Sequence, residues 1–317
     1  AVNRIRCDDM RAHIYKTTDG GKTWKEIVEG LPNDPINAVR EDPYQKGLLY
    51  AGSETAVYFS IDEGAHWQSL RLNMPATSIR DLVIHEDDIV VGTHGRSFWI
   101  LDDITPLRQI KQTAGLKNIL FKPQLATRVR WGMYTDTPVP QEEPAGQNPP
   151  DGAIINYYLE NAVTDLTLEI RNPAGLLIRS FSSKDTFYTI PPVNIPHYWI
   201  RPQQKLSTEK GAHRFIWDLK YTGLNLPPSY PISAIFKNTE PDPTAPWVMP
   251  GKYTIRLKIN GETQEQVLQV RMDPRVKTTP ADLQKQHDLS LQCYVLRQES
   301  SELIIKVKAK RESLKSE

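Results

Sequence analysis

Two stretches of this chain, TTDGGKTW at 17–24 and SIDEGAHW at 60–67, share the pattern Ser/Thr-x-Asp-x-Gly-x-x-Trp, and the second begins 43 residues after the first. No other feature restricts the fold as much, because a fixed period of roughly 20–50 residues marks a repeat architecture. Between and beyond the copies, short β-rich runs alternate with turn residues: INAV (36–39), GLLYAGS (47–53), AVYFS (56–60) and HWQSL (66–70). Four strands in about forty residues is the size of one β-propeller blade. The next unit begins with IRDLVI (79–84), DIVVGTH (88–94) and SFWILDD (97–103), whereas HIYKT (13–17) and TWKEI (23–27) supply only the last two strands of an earlier blade.

The spacing therefore predicts about two and a half blades, and fewer than about four cannot close a ring. An open array leaves strand edges and half-buried faces exposed. The remaining blades of a larger protein, or a partner chain, are the expected partners. Within each motif the residue types have mechanical tasks. Thr17 and Ser60 head the two copies, and Asp19 and Asp62 accept backbone N–H groups across the turn. Gly21 and Gly64 supply a backbone conformation costly for other residues. Trp24 and Trp67 are then expected to pack between neighbouring sheets. These are folding roles.

Strands in a blade run up and down, so successive turns alternate between the faces of the disc. If the repeated motif is the third-to-fourth turn, the second-to-third turns, GSETA (52–56) and GTHGRS (92–97), lie on the opposite face. They place Glu54, His94 and Arg96 there as ligand-binding candidates. A histidine titrates near neutral pH, and an arginine offers a planar fork for a carboxylate or sulfate. The plainer reading pairs Arg96 with Asp102 or Asp103 and bonds His94 to backbone. Neither an arginine cluster with a tyrosine nucleophile nor two carboxylates across a ring can be assembled from these blades. No catalytic residue is assigned, and no metal or cofactor is expected. Trp99, inside an alternating run, reads as core.

The chain of 317 residues is long enough for about two domains. Its net charge of +1 points to neither nucleic acid nor an anionic membrane. No apolar run is long enough for a transmembrane helix, and AVNRIRCDDM lacks the apolar core of a signal peptide. That leaves a cytosolic protein, or a chain that begins after whatever preceded it. Cys7 and Cys293 read as two buried free thiols rather than a disulfide.

Composition changes after LFKPQ (120–124): TDTPVPQEEPAGQNPPDG (135–152) reads as a Pro-rich loop. AIINYYLE (153–160), TDLTLEIRNPAGLLIRSF (164–181), AHRFIWDLKY (212–221), PGKYTIRLKING (250–261) and ETQEQVLQVRMDP (262–274) follow as alternating strands with hairpin turns at 172–175 and at Asn260-Gly261. They predict a β-sandwich. Asp218, Asp273 and Arg275 read as turn and edge residues. Thr279 before Pro280 caps a helix with an uneven apolar stripe from Leu283 to Val307, expected to dock its first half on the sandwich; breaking into two helices and pairing with a partner are the alternatives. The expected fold is mainly β: partial propeller over 1–118, sandwich with its loop over 119–276, helical segment over 277–317.

The motif resembles the Asp box of BNR-type propellers, which implies that it is a folding device and its aspartates poor candidates for catalysis. With VVGTHGRSFWILDDITPLRQI and GKYTIRLKING...VRMDPRV, it makes residues 10–275 similar to bacterial sortilin-like, BNR-repeat proteins often labelled glycosyl hydrolases. The order GAHRFIWDL, PGKYTIRL, VLQVRMDPR resembles the bacterial Ig-like domains appended to secreted enzymes and surface proteins, which implies Trp217 and Tyr253 as core anchors. The resemblance implies export to periplasm, cell surface or medium, and many more blades upstream. Two functions are compatible with it. One is a non-catalytic module binding glycan, peptide or its own upstream blades. The other is the C-terminal part of a glycoside hydrolase with Glu54, His94 or Arg96 lining one side of its cleft.

Overall fold

A computed structural model describes every residue except 131–139, 141, 144, 145, 227, 231–234, 243, 316 and 317. The chain divides into two units, residues 1–116 and 117–317. The protein is mainly β: incomplete propeller blades, then a β-sandwich and a C-terminal helix.

In the first unit the two-residue strands β1 (Tyr15–Lys16) and β2 (Lys25–Glu26) form a hairpin around the first motif. A four-stranded antiparallel meander follows: β3 (Ile36–Glu41), β4 (Leu49–Ser53), β5 (Val57–Ser60) and β6 (Gln68–Ser69). The second motif joins β5 to β6. A third sheet has β7 (Ile79–His85), β8 (Asp88–Thr93) and β9 (Phe98–Leu101), after which the chain leaves through a short helix α1 (Thr105–Gln109).

The two-residue period of the strands divides the apolar side chains between two cores. Tyr50, Val57 and Phe59 pack with Ile79, Leu82 and Ile89 of the third sheet. Ala51, Tyr58 and Trp67 pack with Ile14 and Ile27 of the first hairpin. The middle sheet is thus covered on both faces, and all four residues of β5 are buried. The third sheet is covered on one face only: Trp99 and Leu101 pack inward, confirming Trp99 as part of a core, while Phe98, Ile100 and Val83 are exposed.

Arg108 of α1 pins the exit segment. Its Nε donates to Asp42 Oδ2 at 2.9 Å, one terminal nitrogen pairs with Asp87, the other donates to the Glu86 carbonyl, and the guanidinium lies 4.8 Å over the Tyr44 ring.

The second unit stacks two sheets. One orders β10 (Asn118–Leu120), β12 (Ala153–Leu159) and β15 (Gly211–Trp217). The other orders β11 (Ala126–Arg128), β17 (Glu262–Met272), β16 (Gly251–Ile259), β13 (Leu166–Arg171) and β14 (Leu177–Ser182). All pairs are antiparallel except β11 with β17. Alternate residues of both sheets, among them Ile155, Tyr157, Leu168 and Ile255, form one shared core. In it Trp217 and Tyr253 meet edge to face at 5.6 Å, their polar atoms satisfied by the carbonyls of Lys220 and Met249. Asn260 and Gly261, at φ 47° and 95°, make the tight β16–β17 turn. Asp218 and Asp273 accept backbone N–H groups in their turns, and Arg275 folds back onto Asp273. Much of the Pro-rich run 135–152 lies outside the described residues.

Helix α2 (Pro280–Lys315) begins at Thr279, whose hydroxyl accepts the Asp282 N–H. Two expectations need correction. Cys7 and Cys293 are both exposed free thiols, not buried ones. Cys7 ends a surface turn, and Cys293 lies on the side of α2 away from Leu283 and Tyr294. Trp24 is the second correction, and its cause belongs to the motif geometry.

Candidate functional site

The two Asp boxes are wired alike. Thr17 Oγ1 accepts the Gly21 N–H and donates to Asp19 Oδ1, which accepts the Thr23 N–H at 2.9 Å. Ser60, Gly64, Asp62 and His66 repeat that pattern with the same 2.9 Å bond from the His66 N–H. Both glycines have left-handed backbones, φ 89° at Gly21 and 88° at Gly64. Both carboxyls are held down to about 2. For Asp19 the Thr23 hydroxyl leads, followed by the Thr23 N–H. For Asp62 burial pushes upward, but the hydrogen bonds from His66 and Ser60 outweigh it.

Blade packing separates the copies. Trp67 is 4% exposed and its Nε1 donates 2.9 Å across to the Ile27 carbonyl of the preceding hairpin. Trp24 is 60% exposed and its Nε1 turns back to the Gly21 carbonyl. The expected packing of Trp24 between sheets is not made: the ring is exposed and its N–H is held by its own turn.

On the opposite face, the turns after β4 and β8 carry Glu54 and His94, and a residue the sequence reading passed over joins them. Arg80 Nη1 lies 3.4 Å from Glu54 Oε1, and its Nη2 lies 3.2 Å from His94 Nδ1. Asn37 Nδ2 also donates to Glu54 Oε1, at 2.9 Å, and to the Ile79 carbonyl. Asn37 and Arg80 occupy equivalent places: each sits where the first strand of its sheet slips register against the second, between Ile36 and Ala38 and between Ile79 and Asp81. A bulge re-aims the side chain it carries. Here it turns two strand residues toward the turns. The 43-residue offset of the Asp boxes also takes Asn37 to Arg80, and was the signal available for finding them.

The loops are fixed by short bonds. The Glu54 N–H donates to the Pro35 carbonyl, the His94 N–H to the Ser78 carbonyl, and the Thr77 hydroxyl to the His94 carbonyl. Burial alone raises the Glu54 carboxyl. The nearby Ser78 hydroxyl, the Asn37 amide and the charges of Arg80 and His94 outweigh this and lower it. An arginine only donates, so in the neutral ring the contact makes His94 Nδ1 the acceptor and puts the hydrogen on Nε2. The His94 ring therefore meets Arg80 rather than backbone.

Arg96 is exposed in the same turn, where its N–H donates to Thr93 Oγ1. Neighbouring Gly95 has φ 81° and open space around it. Asp103 accepts from Thr105. The cluster of Glu54, Arg80 and His94 carries one carboxylate against a guanidinium group and an imidazole, and Arg96 stands exposed in the His94 turn. Among the described residues, no three His, Cys, Asp or Glu side chains converge as a metal site. No helix is long and apolar enough to cross a membrane.

Residues 12–94 match the Sortilin-Vps10 family model, described as sortilin, neurotensin receptor 3. No curated protein matches. Among solved structures, the extracellular domain of a hybrid two-component system of B. thetaiotaomicron is 13% identical with a TM-score of 0.25, over 82% of this chain and 29% of that one. The extracellular domain of a one-component system from the same organism is 7% identical with a TM-score of 0.24, over 83% and 29%. The chain thus spans less than a third of either structure. The matched segment begins three residues before β1 and ends at His94, so it contains both Asp boxes.

Proposed function

We propose that this chain is a non-catalytic binding and structural module, the C-terminal part of an exported Asp-box propeller protein. The observation that carries the reading is an apolar surface left open at each end of the blade array. At one end stands the Trp24 indole; at the other, Val83, Phe98 and Ile100 line the outer face of the third sheet, with Phe98 77% exposed. Exposed groups of this size in register on a sheet mark an interaction surface. Further blades of the same protein suit both ends. The face bearing Glu54, Arg80, His94 and Arg96 has the charge for a carboxylate-bearing glycan or peptide. The sandwich serves as an Ig-like spacer or packing partner.

Glycoside hydrolysis uses paired carboxyl groups, one of them a proton donor. Glu54 is a single carboxyl held toward its ionised form, so a hydrolase built on it would need a second acid from blades outside this chain.

The test is the double substitution Phe98→Asp and Ile100→Asp, made both in this chain and in a version carrying the natural upstream sequence. In this chain both sites face solvent, and a change of about 0.5 kcal/mol or less is expected. In the extended protein the same change should cost several times more, read as a drop in Tm. Equal small effects in both would remove the support for a blade on that face.

A further inference from the structure

Helix α2 has two faces with different surroundings. Along one, Leu283 is buried, the Tyr221 hydroxyl lies 3.1 Å from His287 Nε2, and the Tyr294 hydroxyl donates to the Thr222 carbonyl at 2.9 Å. The opposite face carries its own pattern. Positions 289, 293, 296, 300, 303, 307, 310 and 314 advance by alternating steps of four and three. That is the heptad spacing which keeps one seam turned toward a partner helix. Leu289, Leu296, Leu303, Val307 and Leu314 fall on it, and they are 62%, 61%, 61%, 59% and 58% exposed. An apolar stripe serving the chain's own core would be covered. This one is open over about seven turns.

We propose that the seam pairs antiparallel with the same seam of a second copy of this chain. Charge distribution selects both the occupant and its direction. Between 280 and 305, Asp282, Asp288, Glu299 and Glu302 outnumber Lys285 and Arg297; from 306 on, Lys306, Lys308, Lys310, Arg311 and Lys315 outnumber Glu312 and Glu317. A parallel pair would hold two basic ends together. An antiparallel pair parts the two basic ends and brings Glu299 of each copy to within two residues of the level of Lys306 of the other. The same register sets Leu289 against Leu314 of the second copy, Leu296 against Val307 and Leu303 against Ser300, and leaves Cys293 facing Lys310. The identical helix therefore supplies matching apolar spacing and complementary charge together.

The experiment is size-exclusion chromatography with light scattering on the whole chain at micromolar concentration, wild type against Leu296→Asp/Leu303→Asp. Both positions are exposed, and circular dichroism checks that the fold is kept. A dimer for the wild type and a monomer for the variant are expected. A wild-type monomer, or a variant that dimerises as strongly as the wild type, overturns the proposal. Direction is read in a Cys7→Ser background under mild oxidation. Adding Lys310→Cys should give a dimer cross-linked through Cys293 of the other copy, while the parent stays uncross-linked. A Cys293–Cys293 dimer in the parent would overturn the antiparallel pairing.

Discussion

Trp24 and Trp67 hold the same place in the same motif, and their surroundings differ in almost every respect. Trp67 is sealed between two sheets, with its N–H spent on the neighbouring hairpin; Trp24 is in solvent, with its N–H spent on its own turn. The hydrogen bonds of the turns themselves match. An Asp box is thus a local device that forms whether or not a blade lies beside it. What its tryptophan contributes depends on the neighbour.

That comparison can be broken most directly at the indoles. Trp67→Ala removes a buried ring and leaves the Ile27 carbonyl without its donor, so a loss of about 3–5 kcal/mol is expected. Trp24→Ala in this chain should change stability by about 0.5 kcal/mol or less. Urea unfolding of the two variants side by side measures the gap. Equal losses would mean that Trp24 already has a packing partner.

The glycines sharpen the same contrast at smaller scale. At both positions a Cβ costs roughly 1–2 kcal/mol because φ is left-handed. At Gly64 the new Cβ would also stand 2.4 Å from Ile27 Cδ1 of the preceding hairpin, whereas at Gly21 it meets only Trp24, at 3.8 Å. Gly64→Ala should therefore cost about 1–3 kcal/mol more than Gly21→Ala. Thermal unfolding of the pair decides it, and identical Tm shifts would count against an inter-blade role for Gly64.

Acid should not separate the copies. Asp19 and Asp62 both titrate near 2 in the folded chain, below the value of about 3.9 for an unfolded aspartate. Each therefore contributes stability that is complete above about pH 4 and is lost as the pH falls through about 2. Asp19→Asn and Asp62→Asn should flatten the stability profile over that window to similar extents. A profile altered by only one of them would show that blade packing, and not the turn alone, holds the carboxylates ionised.

The strands, the hairpins and both Asp boxes were legible because their signals are local: alternation, Gly and Asn at turns, one motif written twice. Burial of Trp24 was misjudged because the motif says nothing of what lies beside it. The three-residue strand β11 pairs parallel at a sheet edge and carries too few residues to show a period. Glu54 and His94 were found from turn position alone. Arg80 and Asn37 were not, because a polar residue at a strand start reads as solvent-facing, and a bulge is a property of two paired strands. Cys293 was misplaced because the face of α2 that docks is chosen by Leu283, His287 and Tyr294, which leaves the thiol outside.

Arg80 offers the smallest and most specific effect. It holds Glu54 toward the charged form from one side and contacts His94 Nδ1 on the other. Removing it in Arg80→Ala should raise the Glu54 carboxyl from its lowered position, with the Asn37 amide still opposing a full return. His94 Nδ1 would lose its donor. Carboxyl chemical shifts followed by NMR across pH 3–8 report the change at Glu54. Global stability should barely move, since Arg80 is about half exposed and such pairs contribute about 0–1 kcal/mol. An unmoved Glu54 titration would place its control in Asn37 and Ser78, and Arg80 would then be available to a ligand without cost to the carboxylate beside it.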